Sequence, residues 1–478
     1  MVFSSPVDGT GTTAGGAERT PRLLVPTLVL LTTVTGVVSS LGAPLVPTIA
    51  RDLDVTLSTA QWTLTAALLA GAVATPVMGR YAAAHRRRPV VVGGMAVVVL
   101  GTVLSALGAA IDTLGVQLII AGRVLQGVGM ALTPLAMAVA RDVLPAHRLG
   151  SVIAVLSVGT VAGAGLGYPL TAAVAQLGGL AAAFWFGAAL SGLTLALAWW
   201  QVPAAPRAVT PKVRPSEALL LGAATLTLLL GISQSTSWGW ADARTLVLLA
   251  VGVLGIAGWV WLTLHRDTPL VDLRLAFRGA AAGPNVTGLL AGAGMYMGLT
   301  LLMILVQTDT DDGWGLGQPV LVAGLMLVPY SIMSVVGSRI SLWLGRYVDH
   351  VRVLPLGCAV YLASALLLAF AHDHVWQALL AMALAGLGSG GTFATLPVLL
   401  VRAVPPTETG SALAFNLVLR YVGFAVGSAA GVTALGLASG PVPDERGFVI
   451  ASLVNAALWV VAIGVVLWFS RPATRGTP

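Results

Sequence analysis

Apolar stretches of roughly 20 residues recur about fourteen times along the chain, and this repetition leaves few folds open. Their approximate bounds are 23–49, 57–81, 89–110, 113–140, 151–177, 180–202, 217–236, 244–264, 284–307, 320–343, 353–371, 375–401, 410–438 and 447–469. A helix rising about 1.5 Å per residue needs about this length to cross some 30 Å of hydrocarbon. Membrane strands would instead alternate apolar and polar residues over about ten positions. With 57% hydrophobic and 9% charged residues, the chain also lacks the polar surface that a water-soluble globule needs. An all-α polytopic membrane protein is expected.

Charge placement sets the expected orientation, because basic loops stay on the cytoplasmic side. Placing the amino terminus inside leaves only Arg51, Arg244 and Arg446 in outer loops. The inner loops then hold His85 to Arg88, Arg141, Arg148, Arg207, Lys212, Arg214, Arg266, Arg274, Arg278, Arg346, Arg352 and Arg402. Both termini are therefore expected in the cytoplasm, with residues 1–22 and 470–478 as tails and 1–22 disordered. The leader lacks a basic cluster running into a short apolar core, so no cleavable signal is read there. The net charge of +7 fits anionic lipid headgroups and not a nucleic-acid surface. Cys358, the single cysteine, reads as a small buried side chain.

Two internal echoes imply a duplicated plan. "GRYAAAHRRRP" begins at Gly79 and "GRYVDHVRVLP" at Gly345, and each follows an apolar span. "VARDVLPAHRLGS" ends at Ser151 and "VRAVPPTETGS" at Ser411. Residues 23–202 and 284–469 then form two parallel six-helix bundles, with 203–283 supplying a linker and two inserted helices.

On these motifs the chain resembles the fourteen-span drug:proton antiporter branch of the major facilitator superfamily, in its actinobacterial form. "GRVLQGVG" at 122–129 is similar to the family's fourth-helix motif, and "GAGLGYPL" at 163–170 is a blurred form of its fifth-helix antiporter motif. "VPPTETGSALAFNLVLRYVGFAVGS" resembles the penultimate helix of actinobacterial members. The resemblance implies the major facilitator fold, two six-helix bundles plus two inserted helices, and transport by alternating access. It implies conformational roles for Gly79, Arg80, Gly345, Arg346 and Asp349, and for Gly159, Gly163, Gly167 and Pro169 of the fifth span. The family's cytoplasmic Asp falls here at Ala83, and its first-helix Asp at Val38.

Arg123 and Arg420 each sit about ten residues into a span, near the bilayer midplane. A charge there costs at least about 2.5 to 3.5 kcal/mol, so each must face a cavity or a partner. Arg123 reads either as a cavity charge or as a helix-to-helix lock, and Arg420 carries the same alternatives. As cavity residues they offer positive charge to an anionic or strongly dipolar group. Gln126, Asn416, Tyr296 and Tyr330 then supply hydrogen bonds, and Met130 supplies adaptable apolar contact. None of the 18 acidic residues falls inside a span, so no proton relay is evident. Asp309, Asp311 and Asp312 read either as a solvated outer loop or as a mouth collecting cations or protons. No metal and no cofactor is expected.

The expected function is proton-coupled export of amphipathic small molecules by a monomer in a bacterial plasma membrane, with lipid as its surroundings. A uniporter or importer of a metabolite or lipid is the alternative, and a membrane enzyme using a lipid carrier is a more distant one. No long extramembrane domain or loop-borne nucleophile supports the enzyme.

Overall fold

A computed structural model describes residues 23–469 apart from 42–44, 56–58, 61, 64–65, 68–69, 72, 76, 79–86, 112–113, 204–214, 267–271, 278, 311–312, 406–407 and 440–442. Every element among the described residues is helical. Among the described residues, eleven helices are long and apolar enough to cross a membrane, and Leu24–Ser39 and Leu219–Ile232 are shorter apolar helices.

The long helices are α1 (Leu24–Ser40), α2 (Arg87–Gly108), α3 (Gly115–Gly127), α4 (Leu132–Val143) and α5 (Ala146–Gln201). The described residues between 59 and 78 are also helical. The inserted pair is α6 (Pro215–Trp238) and α7 (Ala243–Leu264). Then come α8 (Ala282–Gln307), α9 (Leu327–Leu344), α10 (His350–Phe370), α11 (Val375–Ala403), α12 (Thr409–Ser439) and α13 (Glu445–Phe469).

The spans expected at 23–49 and 113–140 are interrupted, and the boundary expected between 151–177 and 180–202 is marked by a glycine. The 23–49 run is two helices, α1 and the short Val46–Asp52, because Pro44 and Pro47 bring no N–H to the ladder. The 113–140 run is α3 and α4 joined by a 3-10 turn, Val128–Ala131, directly after the Arg123 motif. The 56 residues of α5 contain a break at Gly179 (φ 77°), a backbone that L side chains rarely adopt, and the break divides two membrane passes.

Packing is by small residues, as expected where lipid gives helices no hydrophobic drive to associate. α1 lies along α5, and α8 lies along α12. Gly159 and Gly163 of α5 sit on Thr32 and Thr33 of α1, and Gly427 of α12 sits against the Ala293 backbone of α8. Gly386 and Gly390 of α11 meet the backbone of Tyr330 and Ser334 on α9 in the same way.

The ends that carry Arg87, Arg141, Arg148, Arg346, Arg352 and Arg402 form one basic end. There Ala140, Ile153 and Ala154 share a buried cluster with Val398, Leu400, Val401 and Leu413. Arg141 donates to Thr409 Oγ1 and to the Val404 carbonyl, and Ser157 donates to the Phe393 carbonyl. The large buried cluster of the second half takes no residue from before Leu290.

The insert does not stand apart. α6 packs on α12, and a Cβ on its Gly222 would lie 2.7 Å from Val73 of the 59–78 stretch. Leu221, Trp259, Leu273 and Phe415 form a small buried core with Val77 packed against it.

Gly427→Val puts two methyls where the Ala293 backbone lies, an overpacking that costs about 1 to 3 kcal/mol or more. A thermal scan of detergent-purified protein should show a lower melting temperature and less monodisperse material than wild type. Gly464→Ala, a site with nothing within 4 Å, should leave both unchanged.

Candidate substrate site

Arg123 is 0% exposed, and all three of its guanidinium nitrogens donate hydrogen bonds. Nε donates to the Thr63 carbonyl at 2.9 Å, Nη1 to the Val38 carbonyl at 2.8 Å, and Nη2 to the Ser39 carbonyl at 3.1 Å. Nη1 also reaches Gln126 Oε1 at 2.7 Å, and Gln126 Nε2 donates to Ser105 Oγ at 3.1 Å. Val38 and Ser39 lie in the last turn of α1, at its negative dipole end, and the Val38 carbonyl also accepts from the Leu41 N–H at 3.2 Å. Arg123 therefore caps an interrupted helix inside the membrane. Arg123 and Gln126, expected to line a substrate cavity, face packed protein instead.

Asn416 shares that fate. Its Nδ2 donates to the Pro284 carbonyl and to Asn285 Oδ1, each at 3.1 Å, and Asn285 Nδ2 donates to the Ala276 carbonyl at 2.8 Å. These bonds tie α12 and the start of α8 to the short helix Leu273–Ala276 that follows the insert.

Arg420 is built differently. It is 6% exposed, and among the described residues its guanidinium has no hydrogen bond or ion pair; Nε is buried without a partner. Its carbon centre lies 4.0 Å from the ring centroid of Phe393 and 6.0 Å from that of Phe424. The cation therefore rests on aromatic faces, which attract it but accept no hydrogen bond. Tyr296 stacks on Phe424 at 4.3 Å and 22°. Tyr296, Tyr330 and Tyr421 all lie within electrostatic range of Arg420, and Tyr168 of α5 lies within range of both Tyr296 and Arg123.

Of the expected cavity residues, Arg420, Tyr296 and Tyr330 come together. The Tyr330 hydroxyl donates to Met295 Sδ at 3.3 Å. Met130 lies in the 3-10 turn against Gly71. Phe393, Phe424 and Tyr168 were not singled out. Tyr168 occupies a motif position where the resembling family carries Gly, and that departure was its only signal. Phe393 and Phe424 stand in apolar runs and give none.

The expected conformational residues are scattered. Asp349 caps α10, accepting from the Val351 N–H at 3.4 Å, and a Cβ on Gly345 would meet the His350 ring. Arg346 is exposed, and Gly167 and Pro169 lie within α5. Gly79, Arg80 and Ala83 fall outside the described residues. At the basic end of the first half, Arg87 pairs with Asp142 and donates to the Ala138 carbonyl at 3.1 Å, joining α2 to α4. Asp309 is exposed, and Asp311 and Asp312 fall outside the described residues. Their loop folds back on α8, with Leu316 N–H donating to Leu305 at 3.0 Å and Gly317 N–H to Thr308 at 2.8 Å.

A sequence model of the Major Facilitator Superfamily matches residues 28–428. The chain belongs to that superfamily. Among its relatives in the superfamily, the cephamycin export protein of Amycolatopsis lactamdurans is 28% identical over 464 residues, covering 90% of this chain and 89% of the relative. An uncharacterized MFS-type transporter of Mycobacterium tuberculosis is 28% identical over 431 residues, covering 87% of this chain; the chain spans 60% of that relative's length. The crystal structure of the human organic anion transporter MFSD10 aligns with a TM-score of 0.66 at 14% identity, over 93% of this chain and 99% of that one. That likeness concerns the fold. The chain is thus a multi-pass membrane protein of a transporter superfamily, and that superfamily is not one of enzymes.

The two arginines make opposite predictions. Arg123→Gln removes hydrogen bonds from a charged donor, each worth about 1.5 to 3 kcal/mol, and should sharply lower folded yield and melting temperature. Arg420→Gln removes a buried charge without a hydrogen-bond partner and should hold or raise the melting temperature. Equal losses in a thermal scan of both variants would contradict this assignment.

Proposed function

We propose that the chain exports amphipathic small molecules from the cytoplasm of a bacterium by alternating access between the 23–202 and 284–469 bundles, as a monomer in the plasma membrane. The basic end faces the cytoplasm, following the positive-inside rule. The observation that carries the reading is a closed contact between the bundles at the basic end. There they share an apolar core and the Arg141 bonds. Such a contact is a seal that has to open for cargo to enter from the cytoplasm. The cephamycin export role of the Amycolatopsis relative supports the outward direction.

In this reading Arg420, Tyr296 and Tyr330 contact cargo, with Phe393, Phe424 and Tyr168 completing the wall, and Met130 adds apolar contact on the first-half side. Arg123 and Gln126 hold the α1 break, and Asn416 anchors α12. Gly159, Gly163, Gly167 and Pro169 shape the α5 surface that slides on α1. Gly345, Arg346 and Asp349 form the second-half turn at the seal, and Gly79 and Arg80 are assigned the corresponding turn of the first half. Asp309, with Asp311 and Asp312, belongs to the outer mouth.

Export is tested by expressing the chain in an efflux-deficient bacterium. Cells should accumulate less ethidium or naphthalenesulfonate than a vector control, and equal accumulation of both dyes would remove the reading. The seal is tested with Ala154→Cys in a Cys358→Ser background, because Ala154 lies buried in the shared core. Arg141→Ala should raise maleimide labelling of that cysteine about fivefold, matching roughly 1 kcal/mol for a lost hydrogen bond.

A further inference from the structure

Among the described residues, nothing answers the charge of Arg420. The groups facing it are Tyr296 from α8, Tyr330 from α9, Phe393 from α11, and Tyr421 and Phe424 from its own helix. Every one is aromatic, and none carries a negative charge at neutral pH. Acidic residues within the long helices are Asp142, Glu217 and Glu445, each in the first or last turn of its helix. Buried arginines in other settings are paired, as Arg123 is with carbonyls and Arg87 with Asp142. An Arg held 94% away from solvent with a vacant Nε donor is therefore a group awaiting a partner from outside the chain.

We infer that the cargo is a planar aromatic monoanion, a carboxylate or sulfonate, and that the membrane potential drives its export. This rests on the export reading above. The anion accepts from the Arg420 guanidinium, the arrangement in which a planar fork is strongest. The aromatic body lies against the rings of Tyr296, Phe424 and Phe393, whose 4.3 Å Tyr296–Phe424 stack already presents flat faces. A cationic cargo meets an uncompensated like charge and is disfavoured at the same place.

The energy source follows from charge accounting. Arg420 cannot release its proton, and phenols hold theirs at neutral pH, so the site presents the same charge empty or loaded. The guanidinium stays with the protein, and each outward passage moves one negative charge. An inside-negative potential of 100 mV favours that passage about 50-fold. No proton has to cross in return.

The test uses purified full-length protein in liposomes loaded with 1-naphthalenesulfonate, with ethidium as a cationic aromatic comparison. Potassium gradients with valinomycin set the potential, and buffers set the pH gradient separately. The inference expects naphthalenesulfonate efflux that accelerates with inside-negative potential and is indifferent to an imposed pH gradient. Arg420→Gln should lower this efflux at least about tenfold, the loss expected for a charged hydrogen bond. Arg420→Lys should restore part of it. Because either variant could be lost in purification, thermal shift adds a second reading: naphthalenesulfonate should raise the melting temperature of wild type and not of Arg420→Gln.

Efflux of ethidium but not of naphthalenesulfonate would overturn the anion assignment and leave the export reading standing. Naphthalenesulfonate efflux that requires a pH gradient would overturn the potential-driven mechanism. Protein-independent flux of both probes would remove the export reading together with the inference.

Discussion

A backbone carbonyl in hydrocarbon must find a donor, and the first bundle is arranged around one place where the helix cannot supply it. α1 stops at Ser40, ahead of Pro44 and Pro47, and the Arg123 guanidinium reaches from another helix to Val38 and Ser39. Its third carbonyl, Thr63, belongs to the next helical stretch. One side chain thus joins three segments at membrane depth. Gln126 accepts from the same guanidinium and donates to Ser105 of α2, so the motif spaced at i and i+3 reaches four segments. The glycines around it serve that reach: a Cβ on Gly122 would collide with Ser105 and one on Gly127 with Ala67.

Arg420 shows the other outcome of the same constraint. Each arginine sits about ten residues into its span, and the sequence around them gives no reason to separate their roles. What separates them is the neighbourhood. The carbonyls that hold Arg123 are exposed by a helix break 84 or 85 positions away in sequence. Near Arg420, Pro397 withholds an N–H from the Phe393 carbonyl of α11, but Ser157 donates to that carbonyl, and only ring faces remain for the guanidinium.

That contrast also marks how far the sequence could be read. The apolar runs announced a helical membrane protein, because span length and basic loops are local properties. The end of α1 at Ser40 lies inside a long apolar run, where nothing in the hydropathy marks it. Ala83 in place of a carboxylate points to a first-half gate that is weaker or differently built, and that turn lies outside the described residues. At the same end Arg87 pairs with Asp142, 55 positions away, a meeting that depends on how α2 and α4 pack. The echo ending at Ser151 and the echo ending at Ser411 face each other through Arg141 and Thr409, a relation that only tertiary packing creates.

The insert gives the two seams between the bundles different chemistry. On one side α5 packs directly on α9, first half on second. On the other, α6 lies between α12 and the 59–78 stretch, with Gly222 on Val73 and Leu221 in a core with Phe415. Near its far end α6 borders an apolar groove of about 590 Å3, lined by Ile232, Val426 and Ala430, where Trp240 Nε1 donates to Thr433 Oγ1 at 2.7 Å. Rocking of the bundles would shear a direct contact at the α5 and α9 seam, whereas at the insert seam α6 would have to move with one bundle or the other. Its contacts favour α12, since the core it shares there also includes α7 and the Leu273–Ala276 helix, which Asn285 fastens to α8. The insert is therefore coupled to the second half, and in the proposed cycle the surface that would part is the one between α6 and the 59–78 stretch.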